Sequence, residues 1–503
     1  MVVGGGSAGW LTAALLAAEH AGEAPDALRI TLIESPDLPA IGVGEGTWPS
    51  MRGTLQRIGL SELDLIRECD AAFKQGSRFD GWVDGSPTDR YYHPFTLPQG
   101  WGEADLAAGW LNAAAGRSFA EAVCPQPQLC DENLAPKQVG MPAYGAAVNY
   151  GYHFDAVKLG QLLARHAKAK LGVHHVLDEV VGIRAQENGD IGALVTRSQG
   201  ELEADLFIDC TGLAARLIGQ HFGVGLRSEK SVLFNDSALA VQVPYASEAA
   251  PLASATLATA HGCGWTWDIG LPTRRGVGLV FSSAHANDDV AERTLRDHLA
   301  RTAASTKEIR PRLIRFTPGY RERFWVRNCV AIGLSAGFIE PLEASALALV
   351  ELSAAMIRDE MPANRADMDL VARRFNEAFA YRWARIIDFL KLHYVLSRRE
   401  DADYWREHRS AHTQPDNLRE LLQLWRHRAP SRNDFPRSEE IFPAASYQYV
   451  LYGMQFRPER LCIRPHQQAA AEGQMADAAR QTRRLLGGLP RHRDLIHHLR
   501  SHA

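Results

Sequence analysis

This chain has no apolar run of the roughly 20 residues that a membrane-spanning helix needs, so no span is predicted. Its first residues lack a charged segment followed by an apolar one, and nothing in them reads as a secretory leader. Neither sign of charge is in excess, with 55 Lys and Arg against 59 Asp and Glu and a net charge of −4. That balance argues against a nucleic-acid or other polyanion-binding role. The Arg/His-rich end from Arg483 to His502 then reads as a solvated helical face. Cys69, Cys124, Cys130, Cys210, Cys263, Cys329 and Cys462 are odd in number, scattered, and in no CxxC pair. A disulfide framework is not expected, and a reduced, cytoplasmic location is. The pairs His174-His175 and His497-His498 have no flanking ligand pattern, so no metal site is expected. Internal repeats and low-complexity linkers are also missing.

What is there is ordinary for a folded protein. At 503 residues, 46% hydrophobic and 23% charged, the chain can bury a large core. Its length suits two or three domains or one elaborate one. Residues 1 to 34 read as a βαβ unit: a strand at Met1-Val2-Val3, the turn Gly4-Gly5-Gly6-Ser7-Ala8-Gly9, an Ala/Leu-rich helix, and a strand from Leu28 to Glu34. Met1 lies only two residues before the glycines, so the first strand is short and the true start stays open. Val180 to Thr196 alternates around Asn188-Gly189, a hairpin signal. It leads to a buried strand from Ala204 that ends in the turn at Gly212. Residues 230 to 282 alternate apolar and polar, which predicts an antiparallel sheet over a cavity. Ala344 to Met356 predicts a buried helix and Val371 to Leu396 a long amphipathic one. The tail from residue 398 is the least legible part.

Gly4-x-Gly6-x-x-Gly9 lets the backbone turn tightly and approach a pyrophosphate, which then sits on the positive end of the following helix. Ser7 and Ala8 belong to the same turn. Glu34 ends the second strand, where a carboxylate accepts hydrogen bonds from ribose hydroxyls. It lies farther from the glycines than the usual ~20 residues, and the stretch from Gly22 to Pro25 accommodates the extra turn. No second fingerprint for a nicotinamide nucleotide is visible.

Three features together resemble the flavin-dependent tryptophan halogenases, in an indole-using branch. They are this fingerprint, the run Ala72-Phe73-Lys74-Gln75-Gly76-Ser77-Arg78-Phe79-Asp80-Gly81-Trp82, and Trp265-x-Trp267-x-Ile269, the family marker. In that family proline commonly follows the isoleucine; here Gly270 and Leu271 intervene before Pro272. The resemblance implies an α/β, FAD-binding flavin-monooxygenase-type fold with an antiparallel substrate sheet and a helical C-terminal portion. On that reading residues 1–360 form the FAD module, with substrate regions near 75–150 and 230–320, and residues 361–503 complete the substrate pocket.

The resemblance also implies roles. Lys74 hydrogen-bonds hypohalous acid or captures it as a haloamine and presents electrophilic halogen to the ring. Glu343, in Ile339-Glu340-Pro341-Leu342-Glu343-Ala344-Ser345-Ala346-Leu347, faces the lysine and accepts the ring proton. Ser345 and Ala346 mark the halide site, where the family usually has Ser-Thr-Gly after the glutamate, so the site could be closed if that position needs positive φ. Glu340 reads instead as a first-turn acid that complements the helix dipole, a reading also open for Glu343. Gly44 and Glu45 in Gly42-Val43-Gly44-Glu45-Gly46-Thr47, Gly333 and Leu334 in Gly333-Leu334-Ser335-Ala336-Gly337-Phe338, and Leu347 join the FAD contacts. Leu334 departs from the superfamily's Gly-Asp, which leaves only backbone amides there.

His93 and Phe95, in Tyr91-Tyr92-His93-Pro94-Phe95, match the segment that packs on the indole ring. Tyr447 and Tyr452, in the segment 446–454, are candidates for the other side. His93 reads equally well as a core histidine, and Trp265 and Trp267 as core indoles on one strand face. Reduced FAD would come from a separate NAD(P)H-dependent reductase, with chloride or bromide as co-substrate and a small aromatic as substrate; a homodimer is left open. Two other readings remain: an FAD-dependent aromatic hydroxylase, and a non-catalytic flavoprotein that binds an indole-like ligand. The first leaves Lys74 and the paired tryptophans unexplained.

Overall fold

The computed structural model describes every residue except 23–26, 37–43, 114–115, 304–308, 460, 462 and 502–503. Part of the stretch from Gly22 to Pro25, the pair Gly42-Val43, Cys462 and His502 therefore lie outside the described residues. The chain divides into two compact units. One is made of Met1–Asp70, Phe154–Glu229 and Thr317–Trp383, the other of Ala71–His153, Lys230–Phe316 and Ala384–Ala503.

The first unit is built on a six-stranded sheet in the order Trp325–Val326, Cys329–Ala331, Phe207–Asp209, Val2–Val3, Thr31–Glu34, His174–Leu177. All neighbours are parallel except the first pair. Val2, Val3, Leu32, Ile33, Phe207, Ile208 and Val330 are buried, as parallel strands covered on both faces require. Helix Ser7–His20 packs against helices Ala156–Lys170 and Ser345–Asp359. The expected βαβ unit is present, with its second strand starting at Thr31 rather than Leu28. The hairpin is present too, as Val180–Ala185 against Ile191–Thr196. Gly189 alone of its Asn-Gly pair takes positive φ, at 83°, so the connection is a longer loop than a tight two-residue turn.

The second unit carries a seven-stranded sheet in the order Arg312–Arg315, Ser237–Pro244, Arg274–Phe281, Gly264–Gly270, Thr256–His261, Gly76–Asp80, Arg90–Pro94. It is antiparallel except where Thr256 meets Ser77 and the two strands run parallel. Leu239, Val243, Leu279 and Phe281 pack with Ala291, Leu295 and Leu299 of helix Asp288–Thr302. A short strand, Ala72–Lys74, precedes this sheet and pairs antiparallel with Gly151–Asp155. The tail is helical, as Asp403–His408, Asp416–Trp425, Ala444–Gly453, Pro465–Gly488 and His492–Ser501. Helix Arg365–Val395 gives residues to both units. No described helix is long and apolar enough to cross a membrane.

Candidate active site

In the first unit the glycines shape a cradle. Gly4 has φ 115°, and a Cβ there would lie 2.2 Å from the Cys210 carbonyl oxygen. A Cβ on Gly9 would lie 1.9 Å from the Gly4 oxygen, so both must be glycine for strand and helix to approach this closely. Gly6 differs: a Cβ there would meet nothing within 4 Å. It is exposed, it caps helix Ser7–His20, and no side chain bonds the helix end. The first amides of that helix, those of Ser7, Ala8 and Gly9, have no partners within the helix and form an anion site by default. Glu34 stands beside it, close enough that a Cβ on Gly5 would overlap its carboxylate. His175 Nε2 lies 2.9 Å from Glu34 Oε1 and holds the acid in place.

Gly333, at φ 73°, begins a short turn with Leu334, and a Cβ on it would meet Ala8 at 2.9 Å. Gly44 and Glu45 lie in the strand Gly44–Gly46, and burial with the nearby Asp155 pushes the Glu45 carboxyl up to about 7. Leu347 is buried on helix Ser345–Asp359. An uncapped helix end, an open glycine and a carboxylate set against the turn fit a dinucleotide such as FAD.

The halide segment departs from its expected shape in one respect. Ala346 does not take positive φ; the left-handed residues are Glu343 (φ 63°) and Ala344 (φ 53°), just before the helix begins at Ser345. Glu340 and Glu343 thus precede the helix, and its first turn holds no acid. Neither acid therefore sits in the first turn as the sequence suggested; both stand just before it, with Glu343 at the kink. Glu343 and Glu340 are buried, and the Trp48 indole N–H donates to the Glu343 carbonyl at 2.7 Å. Ser345 is buried and Ala346 exposed, at a helix start that no side chain caps.

In the second unit Lys74 is 1% exposed and its Nζ stands 5.3 Å from the centre of the Phe95 ring. Neighbouring bonds fix this pair. Gln75 N–H donates to the Ser254 carbonyl at 2.7 Å, its side-chain amide donates to the Leu134 carbonyl at 2.7 Å, and Phe95 N–H donates to the Gln75 carbonyl at 3.0 Å. Buried His93 meets the rings of Phe389 at 5.6 Å, Phe442 at 6.5 Å and Tyr449 at 6.2 Å. Phe389 and Phe442 are themselves stacked at 3.8 Å. Tyr449, which sequence reasoning did not single out within its segment, donates its hydroxyl to the Thr96 carbonyl at 2.9 Å. Tyr447 packs among Phe435, Phe389 and Trp425. Tyr452 packs on Trp110 and Phe119, and its hydroxyl has no hydrogen-bond partner among the described residues.

Trp265, Trp267 and Ile269 are buried on the strand Gly264–Gly270. Trp265 lies 6.0 Å from Trp82 and 6.5 Å from Trp267. Gly278, opposite Trp267, leaves room for its indole, which a Cβ there would meet at 2.1 Å. Both indoles are core residues of this unit. Among the described residues the six cysteines are free thiols, and no cluster of His, Cys, Asp and Glu is placed to hold a metal ion.

Comparison with known proteins agrees with this geometry. The sequence profile of the family described as tryptophan halogenase matches residues 1–471. The tryptophan 6-halogenase SttH of Streptomyces toxytricini is 33% identical over 476 residues, which are 90% of this chain and 88% of SttH. A solved tryptophan halogenase from Shewanella frigidimarina NCIMB 400 superposes with a TM-score of 0.96 at 50% identity, over 100% of this chain and 97% of that one. BrvH, a flavin-dependent halogenase from Brevundimonas sp. BAL3, superposes with a TM-score of 0.86 at 32% identity, over 99% and 98% of the two chains.

Proposed function

Since the chain belongs to the flavin-dependent tryptophan halogenase family, we propose that it halogenates indole or an indole derivative by way of Lys74. The observation that carries this is the burial of Lys74 against the Phe95 ring, with neighbouring backbone held by Gln75. A lysine buried against an aromatic face, where most lysines stay hydrated, suits a chemical task rather than a surface one.

When bound, reduced FAD supplies, with oxygen, the two-electron oxidation that turns chloride or bromide into hypohalous acid. Gly4, Gly6, Gly9 and Glu34 would hold its pyrophosphate and ribose, with Gly333 and the Gly44–Gly46 strand against the rest. The first-turn amides of Ser345 and Ala346, at a helix end that no side chain caps, would bind the halide. Lys74 takes the halogen and delivers it to the ring, while His93 and Phe95 hold the ring flat. Glu343 accepts the proton that the ring loses on rearomatisation, a role for an ionised carboxylate near neutral pH. A separate NAD(P)H-dependent reductase, working with this chain in the cytoplasm, supplies the reduced cofactor.

Mass spectrometry of products from indole, bromide, FAD, NADH and an added flavin reductase tests the reading. A bromine isotope pattern is expected, with none when the reductase is omitted. An added oxygen instead would mark a hydroxylase, and unchanged indole under full flavin turnover a binding protein.

A further inference from the structure

The strand pairing beside Lys74 brings a second group to the reacting amine. Lys74 lies opposite Gly151, which has no side chain, and Ala72 lies opposite His153. Residues two apart on a strand share a face, so the Lys74 and His153 side chains lie on the same face, one diagonal step apart. His153 is wholly buried. Its Nε2 is 2.8 Å from the Thr256 hydroxyl, and its Nδ1 has no hydrogen-bond partner among the described residues. An orphaned N–H costs more than an orphaned lone pair with weak acceptor demand, so the proton belongs on Nε2, donating to Thr256, and Nδ1 carries the lone pair.

The other imidazole here is committed elsewhere. His492 Nε2 accepts the Phe73 amide at 3.0 Å, and its Nδ1 faces the Leu252 carbonyl at 3.3 Å. Burial first, then Lys74 and His492, holds the His153 imidazole well below its ordinary pKa. Burial likewise brings His492 down to about 4. Lys74 and His492 are the two titratable groups whose charges act on His153. Both rings are therefore neutral at pH 7, and one of them has a free lone pair.

We propose that His153 is a positioning residue for halogen transfer, a neutral base that takes a proton from the Lys74 ammonium as the lysine is loaded. The inference rests on the reading of Lys74 given above. An ammonium has no lone pair and cannot capture halogen. Nζ and Nδ1 share a face one diagonal step apart and are not hydrogen-bonded to each other in this structure, so they must close up as the lysine is loaded. With one proton then moved from Nζ to Nδ1, the free amine attacks the halogen of hypohalous acid. The N–halogen bond forms, the halogen–oxygen bond breaks with its electron pair on oxygen, and the leaving hydroxide takes a second amine proton to give water. When the halogen passes to the ring, the proton that the ring loses, handed on by Glu343, restores the amine, and the imidazolium returns its own proton to restore the ammonium.

The test uses the full-length enzyme with FAD, an added reductase, bromide and indole, with kcat read from pH 6 to 9. For the wild type a nearly flat profile is expected, since the lysine proton goes to an internal base. His153→Gln, which keeps a donor for Thr256, should lose at least about tenfold in kcat at pH 6.5. Its KM for indole should hold, and its kcat should climb back toward wild type by pH 9 as solvent takes the proton. Bromination of added monochlorodimedone, which traps escaping hypobromous acid, should rise in the variant. An equal loss at every pH, or a profile parallel to wild type, would overturn the proposal. Should the variant not fold, the wild type still decides: a rise in kcat with slope near one across pH 6 to 9 means that Lys74 loses its proton to solvent, and the proposal fails. Lys74→Ala separates this from the parent reading. If that variant still halogenates, the lysine role itself is wrong; if it is inactive while His153→Gln behaves like wild type, only the histidine is wrong.

Discussion

Lys74 and Gly151 face each other across an antiparallel ladder, and the lysine Nζ stands 5.3 Å from the centre of the Phe95 ring. A cation in this position has lost most of its water. It stands against the Phe95 ring, and its charge acts on the His153 imidazole, so it can serve chemistry that a hydrated surface lysine cannot.

If Lys74 acts only after the oxidant is made, Lys74→Ala should abolish product yet leave FAD binding and flavin reoxidation by oxygen nearly intact. Product yield and oxygen uptake, measured together, check this. Retention of more than about a tenth of wild-type halogenation, a loss under ~1.4 kcal/mol of barrier, would show that the lysine is dispensable.

The two ends of the glycine turn should respond differently to a methyl group. Gly9→Ala forces a Cβ to within 1.9 Å of a backbone oxygen and should lower the melting temperature of the apoprotein. Gly6→Ala meets no protein atom within 4 Å and should leave apoprotein stability within about 0.5 kcal/mol while weakening FAD retention. Thermal melts with and without FAD decide it: undiminished FAD affinity in Gly6→Ala would mean that the open face is not where the cofactor lies.

Glu351 sits inside the first unit, accepting hydrogen bonds from Thr54 at 2.6 Å and Ser50 at 3.2 Å, and burial raises its carboxyl to about 7 from an ordinary 4.5. The folded state therefore keeps a proton that the unfolded chain releases, and stability falls as pH rises from about 4.5 through about 7. Glu351→Gln removes that loss. The variant should be more stable than wild type at pH 8, by an amount on the order of 2 kcal/mol, and that advantage should vanish by pH 4.5. A variant less stable than wild type at pH 8 would show that the charged form is the one the fold prefers.

For the substrate, the wall around His93 is aromatic, made of Phe389, Phe442 and Tyr449, and the Tyr449 hydroxyl is already bonded to Thr96. Burying an unmatched ammonium or carboxylate costs several kcal/mol. Indole or a neutral derivative should therefore show higher kcat/KM than free tryptophan. Steady-state kinetics on both, at saturating bromide and constant reduced flavin, check this, and a clear preference for tryptophan would count against it.

Local features of the fold were legible in the sequence because short-range chemistry dictates them. Gly4, Gly6 and Gly9 mark the first turn, and the apolar run after Ser345 marks a buried helix. Pairings between distant segments were not. Nothing near Thr256 announces that it runs parallel to Ser77, since the strand pattern reads the same in either direction. The left-handed pair Glu343-Ala344 was missed because residues with a Cβ carry no glycine signal. His153 gives no local sign at all. A single histidine on a strand reads as core, and only its register against Ala72 sets it beside the lysine.

The left-handed pair also has a consequence for how the protein comes apart. Each such residue costs on the order of 1 kcal/mol or more to hold, and Trp48 is what clamps the first of them. The first turn of helix Ser345–Asp359 is then the natural place for that helix to begin fraying, well before global unfolding. Amide exchange at Ser345 and Ala346 would outpace that of the helix interior, and on gentle heating halogenation would fade at temperatures where the two sheets are still intact.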